Sequence, residues 1–140
     1  MLTALKMPYV AERFLGVTIP DGGVMYACSY DGLHKLTLEE PVRVETDKER
    51  REDYAALKSK GDALGIFDGT PILEDAQTKI AYIFDTRADT QRIEIHRAGK
   101  TETLSFPTLS GDWFFASLSK CGGFLLLAEP YAIEVQKIGA

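Results

Sequence analysis

Short runs in which apolar and polar residues alternate fill most of the chain, and Gly, Pro and Asp separate them. Arg13-Phe14-Leu15-Gly16-Val17-Thr18-Ile19 reads as a strand, and Pro20-Asp21-Gly22-Gly23 after it is the turn chemistry that reverses chain direction. In the next run Val24, Tyr26 and Cys28 fall on one face and Met25, Ala27 and Ser29 on the other, because successive strand side chains point to opposite sides. Asp31-Gly32 is a tight-turn dipeptide, and Leu33 to Leu38 return as the second half of a hairpin. Pro41 to Glu45 add an edge strand, since a proline at its first position sacrifices no central ladder bond.

The period then changes. Thr46-x-x-Glu49 fits a capping box, and DKERREDYAALKSK continues to Gly61 as a stop, so one inserted α-helix is predicted at about 47–60. Its apolar stripe is thin, with Tyr54, Leu57 and the alanines at 55 and 56, which places such a helix on the surface. The β-pattern resumes at Leu64-Gly65-Ile66-Phe67, turns at Asp68-Gly69-Thr70-Pro71 and continues through Ile72-Leu73. Ile80 to Phe84 is predicted to pair with Arg92 to His96, and Thr101 to Phe106 to return through Ala98-Gly99-Lys100. Here Ile93 and Ile95 face one way and Arg92, Glu94 and His96 the other, so one face is wet. In Trp113-Phe114-Phe115 alternation sends Phe114 opposite its neighbours, and one side of that strand cannot be polar.

A hairpin unit recurs three times. Its first strands begin at Val24, Ile80 and Phe124, 56 and then 44 residues apart, and the longer gap contains the helix. The period approaches the ~40 to 50 residues of β-propeller blades, although the Gly-His and Trp-Asp blade signatures are absent. The prediction is a single, mainly β domain spanning residues 1–140, with antiparallel hairpin-built sheets forming a sandwich, a partly open barrel or propeller-like units.

Composition narrows the partners. The chain has 140 residues, 45% of them hydrophobic and 26% charged, an ordinary globular balance large enough for one core. No segment approaches the ~20 apolar residues of a membrane span. The opening MLTALKMPYVAERF reaches Glu12 and Arg13 before an apolar stretch of signal-peptide length, so a cytoplasmic chain without membrane association is expected. The net charge is −5 and acids exceed bases in both halves. The nearest basic pair, Arg50-Arg51, is hemmed in by Glu49, Glu52 and Asp53, so nucleic acid is not an expected partner. Cys28 and Cys121 lack CxxC spacing and read as buried thiols.

Motifs for catalysis are missing: there is no GxSxG elbow, phosphate loop, HExxH or EF-hand loop, and no cofactor or metal is expected. His34 follows a turn and His96 ends a wet face, so both are expected to be solvated. Asp21, Asp31 and Asp68 each precede Gly, where a carboxylate caps its own turn. Two surfaces remain as binding candidates. One groups Tyr30, Tyr131 and Trp113, residue types common at interface hot spots. The other is the acidic surround of the predicted helix, including Glu49, Glu52 and Asp53. The expectation is a non-enzymatic protein-binding module, of the acidic inhibitor or immunity type, that neutralises a more basic partner. The alternative is a small-ligand-binding protein or a hydrolase with an Asp/His site. Exposed sheet edges would further allow a homodimer.

Overall fold

A computed structural model describes residues 2–48, 62–66 and 69–139. Its first hairpin unit forms β2 (Phe14–Thr18), β3 (Val24–Ser29) and β4 (Gly32–Thr37). Added to these are β5 (Arg43–Asp47) beside β4 and β6 (Ala63–Gly65) beside β2, giving a first sheet ordered β5-β4-β3-β2-β6. The second sheet holds β7 (Thr78–Ala81), β8 (Thr90–Arg97) and β9 (Lys100–Pro107) in sequence order. The third holds β10 (Phe115–Leu118), β11 (Phe124–Glu129) and β12 (Ala132–Ile138), and β1 (Leu2–Ala4) closes it beside β12. Every strand pair is antiparallel. The chain is thus all-β among the described residues, and each hairpin unit occupies its own sheet.

The third sheet lies between the other two. On β11, Leu126 and Ala128 join Val17, Met25, Ala27 and Leu36 of the first sheet in one core. Leu125 and Leu127, one residue out of step, join Ile80, Ile93, Ile95 and Phe106 of the second sheet in another. A strand covered on both faces has no polar side to show water, which is why Phe124-Leu125-Leu126-Leu127-Ala128 runs apolar without alternation. The second sheet is covered on one face only, so β8 keeps the alternation of buried Ile93 and Ile95 with exposed or half-buried Arg92, Glu94 and His96. Trp113 and Phe114 also part company, Trp113 joining the first core and Phe114 the second.

The first and third sheets repeat one another at an offset of 100 positions, Gly22-Gly23 matching Gly122-Gly123 and Ser29 matching Glu129. The hydrogen bonds repeat as well. Leu38 N–H donates to the Gly23 carbonyl at 2.8 Å, and Ile138 N–H to the Gly123 carbonyl at 2.9 Å.

Several sequence expectations are corrected. Asp47, read as the first helical residue, ends β5 in register with Leu33, and residues 49–60 of the predicted helix lie outside the described residues. The tight turn is Tyr30-Asp31 rather than Asp31-Gly32, because Ser29 pairs with Gly32. β7 pairs with β8 only as far as Ala81. Beyond it the chain turns inward, and Tyr82 and Phe84 pack on Phe114 with ring centroids 5.5 and 6.2 Å apart. Burying that aromatic cluster replaces the lost ladder. Cys28 is buried as expected, but Cys121 is exposed, and both are free thiols. No helix among the described residues is long and apolar enough to cross a membrane.

Candidate functional site

Phe14 ties two hairpin tips together. In the first sheet it stands in register with Ser29, the residue before the Tyr30-Asp31 turn. Its N–H donates to the carbonyl of Pro130 at 2.6 Å, inside the Pro130-Tyr131 turn of the third sheet. One strand start therefore fixes Tyr30 and Tyr131 at the same end of the molecule, although they are a hundred positions apart in sequence. They line a cleft of about 320 Å³ with Glu12, Arg13 and Asp31.

Both rings are presented to solvent: Tyr30 is 62% exposed and Tyr131 39%. Arg13, next to Phe14, lays its guanidinium over the Tyr131 ring 5.6 Å from the centroid, a distance at which the ring quadrupole attracts a cation. The same guanidinium donates to Asp112 Oδ2 at 2.9 Å. Trp113, grouped with the tyrosines in the sequence, is 7% exposed and packs below this surface against Phe115. Of the other sequence candidates, Glu49, Glu52 and Asp53 lie outside the described residues.

Each tip is organised by the side chain just before its turn. Glu129 is fully buried, and its two carboxylate oxygens accept main-chain N–H groups from separate loops. Oε1 accepts from Leu109 at 2.5 Å, and Oε2 accepts from Tyr131. The loop held at Leu109 delivers Asp112 to Arg13, and Arg13 covers Tyr131, so the ring of contacts closes on itself. At the matching position Ser29 Oγ accepts the Asp31 N–H at 3.0 Å and bonds His34 Nε2 at 2.7 Å. The other ring nitrogen, Nδ1, bonds Thr46 Oγ1 at 2.8 Å.

His34 is therefore not solvated. It is 1% exposed because it pairs with Ala27 on the inward face of the first sheet. Burial lowers its pKa, an effect partly offset by the negative charge of Asp31. The native state thus holds neutral imidazole at a pH where the unfolded chain, titrating near 6.5, already takes up a proton. Stability from this group is complete above about pH 6.5 and declines as pH falls toward the lowered native pKa. Thermal melts at about pH 7.5 and about pH 5 are expected to show a larger drop for the native chain than for His34→Gln. That amide offers one donor and one acceptor and cannot titrate; equal drops would remove His34 as the cause.

His96, Lys120 and Cys121 lie outside the cleft. His96 sits on the wet face of the second sheet, its Nδ1 bonded to Thr101 Oγ1 at 2.9 Å. Lys120 bridges the third sheet to the first through Asp62 at 2.6 Å. The exposed Cys121 thiol has a pKa lowered by hydrogen bonds from the Ser119 side chain and the Gly123 main chain. Near the acidic stretch, a cavity of about 560 Å³ carries Glu45 and Asp47, but Lys35 and Lys48 balance them. Among the described residues no three His, Cys, Asp or Glu side chains converge on a cation site.

The chain matches no known protein family, and neither curated proteins nor solved structures show a significant likeness to it. The hairpin-tip cleft is the site its own geometry offers. Sequence reading named Tyr30 and Tyr131 and missed Arg13, Asp112 and Glu129. One signal was present for Glu129, a lone carboxylate ending an apolar run before a turn.

Proposed function

We propose that this chain is a cytoplasmic, non-enzymatic protein-binding module that docks a partner on its hairpin-tip cleft. The observation that supports it is the convergence of Tyr30, Tyr131 and Arg13 on one surface held by buried hydrogen bonds. Tyrosine is among the residue types that most often dominate binding energy at an interface. A pre-organised surface also lowers the ordering cost of association. The net charge of −5 steers a more basic partner toward the chain and raises its encounter rate. An acidic inhibitor or immunity-type protein, neutralising a basic enzyme or toxin, fits this description.

The test uses the full tagged chain to capture partners from an extract of its native cell, with Tyr131→Ala, Tyr30→Ala and Arg92→Ala as comparisons. The expected result is a stoichiometric partner whose affinity drops about thirtyfold in each tyrosine variant. Arg92→Ala, on the wet face of the second sheet, should leave binding unchanged. Equal retention by all variants would remove the cleft from consideration. Turnover of a small metabolite with no retained partner would favour the small-ligand or hydrolase reading instead.

A further inference from the structure

The charges around the cleft are unequal. Among the described residues the cleft is lined by the carboxylates of Glu12 and Asp31 and by one cation, Arg13, which is already paired with Asp112 outside the lining. Among the described residues Glu12 and Asp31 have no ion-pair partner, and both are exposed beside the Tyr30 ring. Meanwhile one face of the site already holds a guanidinium: Arg13 over Tyr131, 5.6 Å from the ring centroid. The chain's own side chain therefore shows what the surface accepts, and two carboxylates without an ion-pair partner among the described residues lie next to it.

We infer that the cleft is a cation cradle that receives an arginine or lysine side chain of the partner, set against the Tyr131 face and paired with Asp31 and Glu12. This assignment rests on the cleft being the docking surface, and it names the chemistry that the surface reads. A cation over an aromatic face gains most when water is excluded. A guanidinium adds a planar fork of donors suited to a carboxylate. An acidic partner segment would meet uncompensated like charge and is rejected by the same groups. Arg13 then acts as an internal competitor, covering the Tyr131 ring until an incoming cation displaces it or shares the site.

That role separates this assignment from a merely structural one. The experiment titrates the full chain with two capped tripeptides, Gly-Arg-Gly and Gly-Glu-Gly, and follows backbone amide signals by NMR. The expected result is saturable shifts at Asp31 and Tyr131 with the arginine peptide only, weakened about fivefold in Glu12→Gln plus Asp31→Asn. Arg13→Ala should bind the arginine peptide about threefold tighter, because it uncovers Tyr131 and frees Asp112. Unchanged amide signals elsewhere confirm that each variant is folded. Tighter binding of the glutamate peptide would overturn the assignment and make Arg13 an anion-binding residue, and weaker arginine-peptide binding by Arg13→Ala would overturn it by showing that Arg13 does not compete for the site. Either result leaves the docking surface standing if the tyrosine variants still lose the captured partner. Loss of the surface itself would appear as tyrosine variants that retain the partner.

Discussion

Glu129→Ala is expected to destabilise the fold by about 3 kcal/mol and to dismantle the cleft at the same time. The carboxylate is fully buried and serves two N–H donors in different loops, so its removal leaves both donors without an acceptor. Hydrogen bonds to a charged group contribute about 1.5 to 3 kcal/mol each, and a buried orphan donor costs about 1 to 3 kcal/mol. For a domain of this size the thermal midpoint should fall by roughly 10 °C. The Tyr131 N–H would lose its acceptor as well, so the ring should lose its fixed place and peptide binding at the tips should weaken. Glu129→Gln separates the two effects, because its amide oxygen can satisfy one N–H while its NH2 group opposes the other. Its midpoint is expected to lie between those of the native and alanine proteins. A midpoint for the alanine variant within about 2 °C of the native value would show that neither loop depends on this carboxylate.

What the sequence made legible follows from how locally each feature is determined. The hairpins were readable because a two-residue periodicity and a turn dipeptide lie within a dozen positions of each other. The wet face of β8 was readable for the same reason. The stacking of three sheets was not, since which face of a strand is covered depends on segments far away. The uninterrupted Leu125-Leu126-Leu127 run fits a strand buried on both sides but does not say by what. Thr46 shows how a local signal can mislead. Its hydroxyl reads as a helix cap when followed by Glu49, whereas in the fold it belongs to β5 and bonds His34 Nδ1. The same bond explains the burial of His34, whose partners Ser29 and Thr46 come from two other strands. Tyr30 and Tyr131 were singled out by residue type alone. Their meeting follows from long-range contacts such as the Phe14 N–H to Pro130 bond, which no spacing rule announces. Glu129 was the least legible of all, because a carboxylate satisfied by main-chain donors leaves no charged partner to look for.

Alanine at Leu125 and at Leu126, two consecutive positions, is expected to cost about 3 kcal/mol in each case. Both residues are fully buried, and large-to-small changes at such sites lose about 2 to 5 kcal/mol from transfer and cavity terms together. In a strand with one face open to water, neighbouring residues cannot both carry that penalty, because their side chains point to opposite sides. β8 provides the contrast. Ile93 is fully buried and should lose a comparable amount on truncation, whereas Arg92 is exposed and its alanine variant should stay within about 0.5 kcal/mol of the native protein. Denaturant melts of the four single variants measure this directly. The signature of the three-layer stack is a large loss at both leucines beside a large and a negligible loss at the β8 pair. A tolerated Leu125→Ala would detach the second sheet from the third, and a tolerated Leu126→Ala would detach the first. The second result would also reach the cleft, since Tyr131 and Tyr30 stand at the tips of these two sheets and keep their spacing only while the layer between them is filled.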